Sequence, residues 1–251
     1  PGRARAQTFD HSAFDALLRA HVENGMVDYP AFANAPGFDA YLNALAGFDP
    51  RSLPRDEQLA FWINAYNAYT IKLILKHDER QSIRNINKSG GFIKGYGPWT
   101  EKLAAIGDSV YGLDFIEQKI IRPEFHEPRI HFALVCAAMG CPPLRSEAYS
   151  GARLEQQLDD QTRTFLLLSP AKNRVDVGRS TIHSSQVFKF RDYAKDFGGS
   201  KAAVARFIAR YHPDGAEREL LERGDWKRWE YTDYDWTLNS QENAGKRNLN
   251  R

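Results

Sequence analysis

One stretch, DEQLAFWINAYNAYTIKLILKH from Asp56 to His77, constrains the fold of this chain more than any other. Leu59, Trp62, Ile63, Tyr66, Thr70, Leu73 and Ile74 recur at the spacing of one helical face. Phe61, Ile71 and Leu75 carry apolar surface round the sides, which leaves little of the helix suited to water. Such a helix has to sit inside a core that the rest of the chain wraps. Asn64 and Asn67 lie one turn apart on a flank that will be covered, and buried amides need partners. We expect them to tie down neighbouring backbone; the sharper reading is that they line a site.

The remaining segments supply that wrapping. Helical spacing recurs around Phe14 to Val22, Phe38 to Leu45, in GARLEQQLDDQTRTFLLL and in SKAAVARFIARYHP. GLDFIEQKIIRPEF reads as a short helix ending before Pro123, and GMVDYPAFANAPG as a loop or short strand. NRVDVGRSTIHSSQVFKF reads as two strands around Gly178-Arg179, and WEYTDYDWTLN as a late strand. The glycine-rich stretch around Phe92, Tyr96 and Trp99 has the character of a lid or binding wall, and it lacks the lysine spacing of a phosphate-binding loop. With 42% hydrophobic and 12% aromatic residues, no repeats and no break in composition, the chain predicts one α+β domain. We expect it to be predominantly helical around a central buried helix, with a small, mostly antiparallel sheet. The expected division is an N-terminal segment and first helix over 1–24, the domain over 25–240 and a disordered tail over 241–251. A net charge of +2 with both signs mixed gives no nucleic-acid footprint, and no apolar run approaches the ~20 residues of a membrane span.

The only two cysteines lie in RIHFALVCAAMGCPPL, residues 129–144. Four ligands for a structural zinc are missing there, so no metal or cofactor is expected. A cysteine becomes a nucleophile when a histidine, a cation or a helix N-terminus lowers its pKa, and His126, Arg129, His131 and Arg145 are all near in sequence. In a strand, His131 and Cys136 point to opposite faces; in a helix they lie far apart around the axis. Direct pairing therefore needs a break in regular structure, or a base from elsewhere such as His183. Burial as plain small residues is the competing expectation for both cysteines. A third is a Cys136–Cys141 bond, if the Met139-Gly140 segment folds back.

Four segments together, FWINAYNAYTIKLIL, LDFIEQKIIRP, PRIHFALVCAAMGCPPLRSEAY and YDWTLN, resemble the DUF547 family, a domain of unknown function in bacterial and plant proteins. The resemblance spans roughly residues 25 to 240. The family's helix motif is matched by Trp62, Asn64, Tyr66 and Asn67, its I-E-x-x-I-x-R segment by Glu117 and Arg122, and its H-F-A-L-x-C block by His131 and Cys136. Many members have histidine where this chain has Gln118. Cys141 is matched in bacterial relatives, whereas plant relatives often have serine there. His183 matches no fixed family position, and some relatives are fused to glutaredoxin-like or signalling domains.

The leading functional expectation is a cysteine-dependent hydrolase or transferase acting on a peptide or another amide, in a fold distantly similar to cysteine hydrolases. Cys136 is the nucleophile in this reading, His131 the base and Glu117 the group that orients the histidine. Asn67, Trp99, Arg122 and Cys141 are the expected substrate-binding residues. The alternatives are a non-enzymatic module that binds a small molecule, peptide or protein, and a thiol-redox protein using Cys136 and Cys141. Trp62, Ile63 and Tyr66 should be buried against the HFALVC run, with Asn67 reaching the loop before Glu117 or the turn after Cys136. Ala4-Arg5-Ala6 has the small-x-small form of a trimmed export signal, so a periplasmic or exported protein is expected, with the cytoplasm as the other location.

Overall fold

The computed structural model describes residues 7–87, 97–190 and 192–249, so the expected lid residues Phe92 and Tyr96 lie outside the described residues. The chain opens with α1 (Ser12–His21), a tight hairpin of β1 (Val22–Glu23) and β2 (Met26–Val27), then α2 (Tyr29–Ala33) and α3 (Pro36–Ala46). The loop or strand expected over GMVDYPAFANAPG is thus half helix: Asp28 accepts from the Ala31 N–H as its cap, and Pro30 suits the first turn. The central helix α4 (Arg55–Lys76) follows, and every residue from Leu59 to Ile71 is buried. Trp62, Ile63 and Tyr66 are among them. All-round apolarity has the consequence the sequence implied, a helix with no water-facing side through its middle turns.

A hairpin of β3 (Ala104–Ile106) and β4 (Ser109–Tyr111) leads into a continuous helical run. It comprises α5 (Leu113–Phe115), a π-helical segment at Ile116–Ile121, and α6 (Arg122–Phe125). The helix expected to stop before Pro123 therefore runs through it. The wider π turn shifts the hydrogen-bond register, with the Arg122 N–H bonded to the Glu117 carbonyl, and Pro123 falls in the first turn of α6, where no N–H is needed. The run ends at His126, whose φ of 53° is left-handed.

The short α7 (Ile130–Ala133) and the long α8 (Leu154–Leu167) precede β5 (Arg174–Asp176) and β6 (Thr181–Ser184), the antiparallel pair expected around Gly178-Arg179. Helices α9 (Lys201–Ala209) and α10 (Ala216–Arg223) then deliver β7 (Arg228–Tyr231), which joins β6 in parallel with His183 opposite Glu230. The other paired strands are antiparallel. The expected late strand is confined to its first half; residues from Thr232 to Leu238 run without regular strand structure. After residue 240 the structure places α11 (Gln241–Leu249), and the Ser240 hydroxyl just before it accepts from the Asn243 N–H in the manner of an N-cap. The result is a mixed, mainly helical α and β protein. No helix among the described residues is long and apolar enough to cross a membrane.

Two apolar clusters fill the interior. One surrounds α4 and gathers α1, α3, the β3–β4 hairpin and the π segment; the other holds Phe165, Phe188, Phe197 and Phe207 beneath the three-stranded sheet. Helix α7 lies at their seam: Ile130 and Ala133 belong to the first cluster and Phe132 to the second.

Candidate functional site

His131 sits between those two anchors, and the chain leaves helical geometry just after it, at Leu134. The break in regular structure required by the His131–Cys136 spacing is therefore present. Asn67 holds the segment in place: its Nδ2 donates to the Ala133 carbonyl at 2.9 Å and its Oδ1 accepts from the Val135 N–H at 3.0 Å. Asn64, one turn earlier, makes the same two-way bond to the backbone of Tyr149. Both asparagines brace backbone, and Asn67 does so ahead of Cys136 rather than in the turn after it.

Cys136 and Cys141 are joined by a disulfide, and their Cα atoms lie 6.3 Å apart. The loop between them turns at Ala137, a non-glycine residue with a φ of 56°. It is pinned to the distant segment after Tyr234: Met139 N donates to the Thr237 carbonyl, and Gly140 N to that of Asp235, each at 2.8 Å. Gly140 is required by this approach, since a Cβ there would lie 2.8 Å from Asp235 N and 2.9 Å from the Tyr234 ring. The same pinning brings the Tyr234 hydroxyl to 3.1 Å from Cys136 Sγ and 3.0 Å from Cys141 Sγ. Cys136 N donates to Cys141 Sγ at 3.1 Å. The Lys172 ammonium donates to the Cys141 carbonyl; burial pushes its pKa down to about 8, against the opposing charge of Asp235.

The two cysteines differ in exposure. Cys141 is 2% exposed, whereas Cys136 is only partly buried. Both border a cavity of about 220 Å³ walled by Tyr66, Trp99, Phe190, Tyr193, Tyr234 and Trp236. His131 and Glu117 border it as well. The structure thus gathers the expected residues Cys136, Cys141, His131, Glu117 and Trp99 around one space. Asn67 and Arg122 act from behind its wall.

The expected pairing of Glu117 with His131 is replaced by another. His131 Nε2 lies 2.7 Å from Asp196 Oδ2, and its ring stacks on Tyr193 with centroids 4.0 Å apart. Glu117 instead accepts from the Tyr193 hydroxyl. Burial alone would raise the Asp196 carboxyl, but hydrogen bonds from His131 and Arg122 hold it well below the usual carboxylate range. Arg122 grips Asp196 through Nε at 2.7 Å and Nη2 at 3.0 Å, and reaches Asp192 at 2.9 Å. An ionised Asp196 makes Nε2–H the natural tautomer of neutral His131 and leaves Nδ1 as the ring's acceptor. Among the described residues, no histidine nitrogen hydrogen-bonds either sulfur. His183 pairs with Glu230 on the sheet, away from the cavity. No three metal-ligating side chains converge among the described residues.

Tyr193, Asp196 and Tyr234 were not singled out from the sequence. The available signal is weak: DYAKDFGG is polar and aperiodic, and the alternation of WEYTDYDW reads as a strand rather than as a binding segment.

With the site described, comparison with known proteins adds one finding. Residues 50–166 match the family model described as "Protein of unknown function, DUF547". Residues 50–166 are a DUF547 domain. No curated protein and no solved structure matches the chain. The DUF547 segment contains α4, the π segment, His131 and both cysteines; Tyr193, Asp196 and Tyr234 come from beyond it.

Proposed function

We propose that this DUF547 protein carries out thiol–disulfide exchange at Cys136 and Cys141. The observation that carries the reading is the bond between its only two cysteines at the wall of an aromatic cavity, with Cys136 half-buried and Cys141 buried. An incoming thiolate, from a small thiol or a protein cysteine, attacks Cys136 Sγ. The electron pair of the broken S–S bond passes to Cys141 Sγ, giving a mixed disulfide and a free thiol. A second thiol resolves the mixed disulfide and leaves the dithiol form. Mass spectrometry of the native protein after iodoacetamide treatment tests this. We expect no adducts before mild reduction, two after it, and return of the bond with a disulfide oxidant. Two adducts without reductant, or reduction only in denaturant, would overturn the reading.

A second reading, favoured by the His131–Asp196 pair, is a cysteine-dependent hydrolase or transferase acting on a peptide or another amide once the pair is reduced. Cys136 is then the nucleophile, and the Nδ1 side of His131 is the base that takes its proton. Cys141→Ser separates the two readings: it abolishes the exchange cycle but leaves a Cys136 hydrolase active. Iodoacetamide labelling of reduced Cys136 that follows an ordinary thiol pKa of about 8.5 would count against an activated nucleophile.

A further inference from the structure

Tyr234 is partly buried, and desolvation pushes its phenol well above the ordinary value, so it keeps its proton through the whole working pH range. A desolvated hydroxyl needs a partner. The hydrogen bonds this one makes in the structure go to Cys136 Sγ and Cys141 Sγ. Disulfide sulfurs are weak acceptors; a thiolate is a strong one, and hydrogen bonds to charged groups are roughly twice as strong as neutral ones. The hydroxyl is therefore placed for a charge that exists only after the S–S bond opens.

Two donors meet at one of the two sulfurs. Cys141 Sγ takes the Tyr234 hydroxyl at 3.0 Å and the Cys136 N–H at 3.1 Å, whereas among the described residues Cys136 Sγ takes the hydroxyl alone. Both donors are rigidly set. The Tyr234 ring is held by Phe190 at 4.8 Å and Trp236 at 4.6 Å, and the Cys136 N–H follows directly on the stretch clamped by Asn67. Preorganised donors aimed at a developing anion lower the barrier to forming it.

We propose that the Tyr234 hydroxyl and the Cys136 N–H form an anion cradle for the Cys141 thiolate, so that Cys141 is the leaving sulfur and Cys136 carries the mixed disulfide. The proposal rests on the exchange reading above and adds its direction. During attack on Cys136 Sγ, the S–S electron pair moves to Cys141 Sγ, where two hydrogen bonds already point. Tyr234 donates a hydrogen bond and gives up no proton. Lowering the leaving thiol's pKa speeds departure, and stabilising the reduced form makes the pair easier to reduce.

Two experiments test this. In the first, the wild-type protein is incubated with limiting glutathione, quenched in acid and mapped by mass spectrometry. Glutathione is expected on Cys136; an adduct on Cys141, or equally on both, overturns the proposal. In the second, Tyr234→Phe keeps the ring and removes the hydroxyl. We expect the labelling pKa of the reduced pair to rise by about one to two pH units. The equilibrium constant for reduction by glutathione should fall about tenfold, which is ~30 mV. If the variant folds and neither quantity moves, the cradle is wrong while the exchange reading stands. If wild-type protein is never reduced by glutathione in its folded state, the exchange reading falls and takes the cradle with it.

Discussion

Asp196 Oδ2 lies 2.7 Å from His131 Nε2 and at the same distance from Arg122 Nε, so a single carboxylate oxygen serves a cavity histidine and a structural arginine. Asp196→Ala removes both partners at once. We expect a loss of ~1.5–3 kcal/mol, since hydrogen bonds to charged groups are the ones broken. Chemical denaturation measures it. Nitrogen chemical shifts of His131 should show the Nε2–H tautomer in the wild type and a mixture in the variant; an unchanged tautomer would mean that Asp196 does not orient the ring.

Asn67 predicts a purely mechanical cost. Asn67→Ala leaves the Ala133 carbonyl and the Val135 N–H without their partner in a buried place, so stability should fall by ~1–3 kcal/mol. Asn64→Ala should cost a similar amount through Tyr149. Urea denaturation of the two variants checks this. A change of less than about 0.5 kcal/mol would show that the clamp is dispensable.

Gly140→Ala is the small substitution with the largest expected reach. The new methyl would press on Asp235 N and the Tyr234 ring and force the two segments apart. Overpacking of this kind costs ~1–3 kcal/mol. The rate of disulfide reduction should change together with the stability, because the ring that is pushed carries the hydroxyl on the sulfurs.

Acid should destabilise the protein in two windows. His11 is bonded through Nδ1 to the Tyr41 hydroxyl, and burial, only partly opposed by Asp10, pushes its pKa down to about 4 from 6.5. Between those values the unfolded chain binds the proton and the native state does not, so stability rises with pH and is lost as pH falls from 6.5 to 4. At ~1.4 kcal/mol per unit the loss is about 2–4 kcal/mol. For Glu147, burial would raise the carboxyl, but hydrogen bonds from Arg145, Arg153 and Gln157 outweigh it and bring it to about 2 from 4.5. That contribution is present above 4.5 and lost as pH falls towards 2. Urea midpoints against pH for wild type and His11→Phe should converge between pH 6.5 and 4; parallel curves would remove His11 as the cause.

The sequence made the centre of this molecule legible and its rim obscure, for a physical reason. Periodicity reports burial, and α4 is buried all round, so its extent, Trp62, Tyr66 and the two bracing asparagines could be read directly. The strands flanking Gly178-Arg179 were legible because a turn separates two apolar runs. Helix α7 was not: Ile130 and Phe132 serve different cores, which mixes two periodicities in four residues. The π segment hid the passage through Pro123. Asp196 meets His131 and Tyr234 meets Cys136 from 65 and 98 residues further along the chain, and no local pattern encodes such a meeting. Glu117, a nearby acid in the matching motif, reads as the histidine's partner, whereas in the fold it accepts from the Tyr193 hydroxyl.

The pinning of the 136–141 loop by the irregular stretch beyond Tyr234 has a consequence for how the chain can be divided. A fragment bounded by residues 50 and 166 keeps both sulfurs, the imidazole and the asparagine clamp, and so retains the sulfur-bearing part of the site. The carboxylate that fixes the imidazole and the phenol that faces the sulfurs would be left on the piece that starts at residue 167. Mixing the fragment with its two flanking pieces is then a complementation assay, in which chemistry at the sulfurs returns only when the severed parts find each other.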